Sequence, residues 1–436
     1  MIGFLLEQEA GNRTAPALVE QPTAAAVATG RQTPGVELAR AATPDPKLPL
    51  LDLVRTQSSR ITIEEFRGFV MSAVHSGASD ITIQSDQQPR VEIHGRHYRA
   101  SRRPWSPSEV TLVLAEVYGA TNGITEINGK HVLDFSYELN QLDGSKQRFR
   151  VNATGIQGLD THGVEITMRA LPAATPTLAQ VNVKQELVAA LTPRDGIVVI
   201  AGATGHGKST TMAAITRYHL ENHERPVKIV DIQAPIEFTF RDVLEEIEGS
   251  ASGIGQSEIG RHIESFADGV RSALRRKPNI INVGEARDFE TIKSSLEASL
   301  TGHLVYTTTH AGSVVDAMRR LLSVFPAEER DARSYDLASS LRFLMVQQLV
   351  GRADKPGRVP VREYLHFTPQ VQNQLFVEPV TRWPHIITSI MASTDQGYLR
   401  RTFAEDVTPL VQEGIVAAAD AFRVSGDMKF LVGRAA

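Results

Sequence analysis

Gly202-Ala203-Thr204-Gly205-His206-Gly207-Lys208-Ser209-Thr210 is a run that can hold a triphosphate. It fits G-x-x-x-x-G-K-[ST] and sits between the apolar run GIVVIA and a helical pattern, the setting in which this loop binds phosphate. Glycines let backbone N–H groups curl round a β-phosphate, and the following helix N-terminus adds roughly half a positive charge. Lys208 would neutralise the β- and γ-phosphates and Ser209 would ligate Mg²⁺, so ATP and Mg²⁺ are the expected ligands. His206 fills a free position of the loop and is expected to point outward, with no chemical role.

Two more strand-like runs end in polar groups. NIINVGEARD, 279–288, delivers Glu285, which can reach the Mg²⁺ shell or orient a water; the plainer reading is a carboxylate paired with Arg287. HLVYTTTHAGS, 303–313, ends in Thr307-Thr308-Thr309-His310, and His310 can sense a γ-phosphate; the plainer reading is a structural histidine. Parallel strands bring such residues to the carboxyl edge of one sheet, where a P-loop also lies.

The elements that must position these groups are legible as patterns. From 183 onward, short apolar runs alternate with helical ones: GIVVIA, VKIVDI, NIINVG and HLVYTTT, with helices after Lys208 and around 258–276 and 289–301. That alternation predicts an α/β fold with a parallel sheet. The 258–276 helix would turn Ile259, Ile263, Phe266, Val270 and Leu274 to one face; 327–350 reads as further helix, with Leu337, Leu341, Leu344 and Val350 on a stripe. A smaller α+β unit is predicted over 56–170. Its helix carries Phe66, Val70, Met71 and Val74 and stops at Gly77; a second helix is capped by Ser106 or Ser108; DITIQ, RVEIHG, HVLDFSYEL, QRFRVNATGI and GVEITMRAL alternate as strands. The expected organisation is a disordered arm at 1–55, this unit at 56–170, a Pro-bearing linker at 171–182, the nucleotide-binding domain at 183–368 and a helical extension at 369–436.

Composition sets outer limits. A net charge of −4 gives no long-range pull toward nucleic acid or anionic lipid, and sequence-specific nucleic-acid binding is not expected. The basic run Leu274-Arg275-Arg276-Lys277 reads as a solvated helix end. With no cysteine, disulfides, thiol catalysis and cysteine-ligated metal sites are excluded. No run approaches the ~18 apolar residues of a membrane-spanning helix, and MIGFLLEQEAGNR is a poor secretory signal.

GATGHGKST, KIVDIQAPIEF, IINVGEARD and TGHLVYTTTH together resemble the Walker A loop, Asp box, Walker B element and His box of the secretion ATPase superfamily, which includes the type IV pilus retraction motors. RSALRRKP, FPAEER, GASDITIQ and RFRVNA match as well; QSEIGR, REYLHF and VTRWP resemble the DotB-like ATPases of type IVB secretion and I-type conjugation systems. The resemblance implies a PAS-like N-terminal domain and a RecA-like P-loop domain. It implies a cytoplasmic homo-hexamer recruited peripherally to inner-membrane components of a secretion or conjugation apparatus. ATP would lie between the two domains. Glu285 would be the Walker B carboxylate, Glu237 the second Asp-box carboxylate, and His303 with His310 the His-box pair. Arg148, Arg150 and Arg169 match arginines that reach phosphates across the cleft; Arg271 and Arg275 are further candidates.

One position departs from the family pattern. Gln233 stands where the first Asp-box glutamate usually stands, and an amide accepts no proton at neutral pH. Losing a general base costs about 10²–10⁴ in rate. Asp231, two residues earlier on the same strand face, and Glu237 are the candidate replacements; a glutamine can also orient water without deprotonating it, and the change can equally trap bound nucleotide. Three functions follow: an ATP-driven motor for such an apparatus, a nucleotide-gated platform with little hydrolysis, and a nucleic-acid translocase. The charge balance and the lack of an aromatic–basic groove argue against the third.

Overall fold

The computed structural model describes residues 49–54, 59–93, 96–140, 146–159, 162–172, 174–395 and 397–432. The arm expected over 1–55 therefore lies outside the described residues up to 48. Residues 49–54 run beside the first sheet, where Leu51 donates its N–H to Arg99 O at 2.7 Å.

Six strands form that sheet: β1 (Ala78–Gln84), β2 (Arg90–Ile93), β3 (Arg96–Arg99), β4 (Leu133–Asn140), β5 (Lys146–Gln157) and β6 (His162–Ala170). Their order is β3-β2-β1-β6-β5-β4, antiparallel throughout. Helix Ile63–His75 starts at a capping box in which Thr62 and Glu65 satisfy each other's backbone, and Gly77 leaves it at φ +82. It buries Phe66, Phe69, Val70 and Ala73. Helix Pro107–Tyr118 begins at Ser106 with the same device; its Glu109 also accepts from Ile61 N at 2.6 Å and from Arg103, and these bonds hold its carboxyl down at about 2 against the cost of burial. Strict alternation along β5 sends Phe149, Val151 and Ala153 into the core and turns Arg148 and Arg150 to the opposite face.

Eight strands form the second sheet: β7 (Gly196–Ala201), β8 (Lys228–Gln233), β9 (Gly253–Glu258), β10 (Ile280–Val283), β11 (Leu304–Thr309), β12 (Leu341–Gly351), β13 (Arg358–His366) and β14 (Arg400–Arg401). The order is β14-β13-β12-β7-β11-β10-β8-β9. β12, β7, β11, β10, β8 and β9 run parallel; β13 and β14 are antiparallel additions. The result is an α/β fold on a mixed sheet. Apolar clusters cover both faces: Val199, Ile232 and Val305 belong to one, Val198, Ile200 and Tyr306 to the other. Burial on both faces explains the unbroken apolar runs GIVVIA and IINV.

Two sequence expectations need correction. The helix expected over 327–350 is a helix only at Arg330–Ser340; LRFLMVQQLVG is β12, wedged between β7 and β13. A run that is mostly apolar and buried on both faces, with Arg342, Gln347 and Gln348 among its residues, satisfies either period. Within 258–276 only Phe266–Leu274 is helical, and Ile259 and Ile263 meet each other in a β-bridge instead. The segment from 369 onward is mostly helical, with helices Pro369–Phe376, Trp383–Ala392, Phe403–Gln412 and Ala418–Ser425, and its Val371, Leu375, Trp383, Ile387, Phe403 and Val407 join the core of the second sheet. Among the described residues no helix is long and apolar enough to cross a membrane.

His219, half-buried on helix Lys208–Glu221, packs against Tyr306. Tyr306 donates to Leu191 O at 2.7 Å, so His219 Nε2 must be the donor to Tyr306 Oη, also at 2.7 Å. Burial lowers the imidazole to about 4. The unfolded chain therefore binds this proton first as pH falls, and the stabilisation is complete above the ordinary histidine value and lost toward pH 4. The expected loss across that window is about 3 kcal/mol. Urea titrations at stepped pH should show it, and His219→Gln should flatten that part of the profile.

Candidate functional site

The P-loop follows β7 and enters helix Lys208–Glu221. Gly205 and Gly207 both take φ +77, a region that side chains rarely adopt. At Gly202 a Cβ would stand 2.4 Å from Gln347 O, so the loop passes too close to β12 for any side chain. Thr204 and Gly205 crest the loop, exposed; Ser209 and Thr210 are half-buried in the first helical turn. Lys208 Nζ folds back onto Gly202 O at 2.9 Å and Ala203 O at 3.1 Å. Burial lowers its pKa, while Glu285 and Glu237 nearby raise it.

His206 does not point outward as expected. Its Nδ1 accepts the N–H of Leu349 on β12 at 3.2 Å, which requires a neutral ring. Burial and the nearby Arg358 and Lys208 lower its pKa and favour that state. Its carbonyl is held by Gln347 Nε2 at 2.7 Å. Gln347 Oε1 accepts in turn from Thr211 and from Arg362 Nε, each at 2.9 Å. Arg362 is almost wholly buried and spends its other nitrogens on the carbonyls of Asn182 and Val181, at 2.6 and 2.5 Å. The loop is thus braced from behind by a polar chain that reaches the end of the 171–182 segment.

The carboxyl ends of β10, β11 and β8 meet the loop. Glu285 lies 3.3 Å from His310 Nε2 and pairs with Arg287, the contact that the plainer reading of this carboxylate expects. Burial first, then Lys208, lowers the His310 pKa, leaving a neutral ring whose Nε2–H can donate to Glu285. Thr308 Oγ1 clamps Gly284 O at 2.6 Å. Gln233 Nε2 donates to Asp231 Oδ1 at 2.7 Å. Asp231 is only 2% exposed, and burial raises its pKa despite amide donors from Gln233 and Gln256. Ser209, Asp231, Gln233, Glu237 and Asn282 line a cavity of about 20 Å³.

The first sheet reaches into this edge. Arg148 donates to the carbonyls of Ile236 and Glu237, both at 2.8 Å, and Arg150 lies 3.9 Å from the Glu237 carboxylate. Glu258, 1% exposed, accepts from Ser136 N on β4 at 3.2 Å and from Ile236 N at 3.0 Å. Other expected residues are not brought here. Arg169 pairs with Asp80 across β6 and β1 at 2.8 Å, because its strand register places the two side by side. His303 precedes β11 and bonds Ala298 O at 3.0 Å, at the opposite end of the strand from His310. Six residues of strand separate them by about 20 Å, so the two histidines form no joint site in this chain. Arg271 pairs with Asp268 at 3.4 Å, and Arg275 is exposed at the end of that helix.

A phosphate loop flanked by strand-end acids is shared by many nucleotide-binding proteins; the extent of likeness decides among them. The model of the family described as "Type II/IV secretion system protein" matches residues 56–413. The chain belongs to that family. The ATPase DotB of Legionella pneumophila, a solved structure, is 34% identical; the match covers 88% of this chain and 100% of that one, with a TM-score of 0.77. The pilus retraction motor PilT with bound ADP is 26% identical over 85% of this chain and 98% of that one, with a TM-score of 0.70. The type IV pilus retraction ATPase PilT of Pseudomonas aeruginosa is 32% identical over 308 residues, 70% of this chain and 83% of the relative. These relatives support an ATP hydrolase, and membership of the family implies nucleotide binding in this P-loop.

Gln347, Arg362 and Glu258 escaped the sequence reading, although Gln347 and Arg362 lie in apolar runs where a buried polar residue is itself a signal. Removing the amide by Gln347→Leu strands Thr211, Arg362 Nε and His206 O. Each orphaned buried group costs roughly 1–3 kcal/mol. A fluorescent-nucleotide titration should show affinity reduced about tenfold or more, alongside a lower melting temperature.

Proposed function

We propose that the chain is a ring-forming ATPase, a hexamer, that couples ATP hydrolysis to conformational work on a type IVB secretion or conjugation apparatus. Its six-stranded unit would be PAS-like and its larger unit RecA-like. It would work at the cytoplasmic face of an inner membrane, recruited there by components of the apparatus. The likeness to DotB supports this branch of the family. The observation that carries the motor reading is the fork of Arg148 on the Ile236 and Glu237 carbonyls. Through it, any shift of the first sheet is felt at the segment that holds Glu237 beside the P-loop.

In this reading Lys208 binds the β- and γ-phosphates, Glu285 and His310 face the γ-phosphate, and Arg148 or Arg150 reaches it when the cleft closes. The residues present fit Mg²⁺. Ser209 supplies one hydroxyl beside a cavity that also has Glu237 on its wall, and Mg²⁺ commonly takes only one or two protein ligands with phosphate and water. When bound, Mg²⁺ would neutralise charge developing on the β- and γ-phosphates. A second reading is a nucleotide-gated assembly platform with little hydrolysis. The amide of Gln233 favours it, as does the burial of Asp231, whose two oxygens are already held by the amides of Gln233 and Gln256.

Steady-state hydrolysis by the full chain decides between them. The motor reading expects turnover that falls at least about a hundredfold in Lys208→Ala. Tight ATP binding without turnover would favour the platform. Light scattering with and without nucleotide should give six times the chain mass; a persistent monomer would sink the ring.

A further inference from the structure

The side chain of Gln233 is fixed at both ends. Its Nε2 donates to Asp231 Oδ1 at 2.7 Å. Its Oε1 rests over Gly284, where a Cβ would come within 2.6 Å of it, so glycine at 284 is the condition for this placement. Glu285 is the next residue. On the other side, Asp231 Oδ2 accepts from Gln256 Nε2 at 2.7 Å, and that nitrogen is also committed to Phe238 O at 2.8 Å. A carboxylate only accepts, so both amides must turn their N–H groups toward it. The Gln233 oxygen is thereby forced to the Gly284 side, beside Glu285.

The adjoining cavity of about 20 Å³ has room for one water. Its walls mix polar Ser209, Asp231 and Asn282 with apolar Met212, Phe238 and Phe240, and Asn282 has a buried Oδ1 with no partner while its Nδ2 donates to Thr216 at 2.9 Å. That unpaired oxygen offers a water in this space one protein acceptor.

We propose that Asp231 is a positioning residue for ATP hydrolysis, setting the Gln233 amide so that its Oε1 serves as the acceptor that orients the attacking water. This rests on the hydrolysis reading above. The water oxygen bonds to the γ-phosphorus as the bond to the β,γ-bridging oxygen breaks and ADP leaves with that electron pair. The protons of the water end on inorganic phosphate and solvent; Gln233 exchanges none. The carboxylate acts through the amide, because its two oxygens are committed to Gln233 and Gln256.

The test is a cycle of variants in the full chain with Mg²⁺ and ATP. Asp231→Asn removes the acceptor-only anchor and lets the neighbouring amide turn over; kcat should fall about tenfold or more with little change in KM. Gln233→Glu alone sets two carboxyl groups at hydrogen-bond distance that cannot both ionise, and kcat should fall again. In the double variant donor and acceptor change places, an acceptor once more faces Gly284, and kcat should recover to at least the wild-type value. A loss of packing alone predicts no such rescue. An unchanged kcat in Asp231→Asn, or a double variant no faster than the slower single, overturns the proposal. Should Asp231→Asn fail to fold, Gln233→Met keeps the volume and removes the amide oxygen, and wild-type kcat in it overturns the proposal equally. Turnover in the wild type that Lys208→Ala abolishes, with Asp231→Asn unaffected, sinks this inference alone; absence of wild-type turnover sinks the hydrolysis reading with it.

Discussion

A guanidinium with no water to share its charge has to be given acceptors by the protein, and Arg362 sits in that position. Burial draws its pKa down to about 10, which still leaves it charged at neutral pH. Breaking such a buried polar arrangement costs about 3–5 kcal/mol, so its partners have little freedom. They are the carbonyls of Val181 and Asn182 and the side chain of Gln347. With its oxygen so engaged, Gln347 turns its amide nitrogen to the His206 carbonyl. The shape of the phosphate loop is thus tied to a charge that the fold cannot leave unsolvated. The glycines allow the loop to curl, and the buried arginine decides against what it curls.

Much of this fold was open to sequence reading where order is local. The capped helices at Thr62 and Ser106 announce themselves by short-range chemistry, and the alternation in β5 separates Phe149 from Arg150 with no knowledge of the rest. The loop at 202–209 and the strand-end acid Glu285 are equally local. What escaped is non-local. β12 became a strand because β7 and β13 flank it, and LRFLMVQQLV contains no record of that company. β9 is a polar, glycine-bearing run whose only claim to be a strand is its partner β8. Family resemblance assigned His303 and His310 to one box, whereas the length of β11 holds them apart. The braces behind the site, Gln347 and Glu258, could be found only once strands distant in sequence were side by side.

The edge that carries the chemistry is held from two directions. From below, Thr308 fastens Gly284 and Asp231 fastens Gln233. From the first sheet, Arg148 and Glu258 hold the backbone at Ile236 and Glu237. Glu258 is economical in this role. One of its oxygens serves β4 and the other serves the loop after β8, so a single carboxylate belongs to both sheets. These contacts each run from one side chain directly to backbone, so the site edge and the first sheet are joined in single steps.

The segment between the two sheets reads in sequence as a simple tether, yet it is anchored along its length. Thr175 is bound through its N–H and hydroxyl to Asp242, at 2.9 and 3.1 Å, and its carbonyl receives Arg217. Six residues later Arg362 seizes Val181 and Asn182. Between these anchors the chain is held as well, with Val181 N–H on Thr177 O at 3.2 Å and Asn182 N–H on Ala179 O at 3.0 Å. A strap fixed at both ends gives the first sheet fewer directions in which to swing than a free tether would. The arginine that fixes its far end is also the one that braces the phosphate loop.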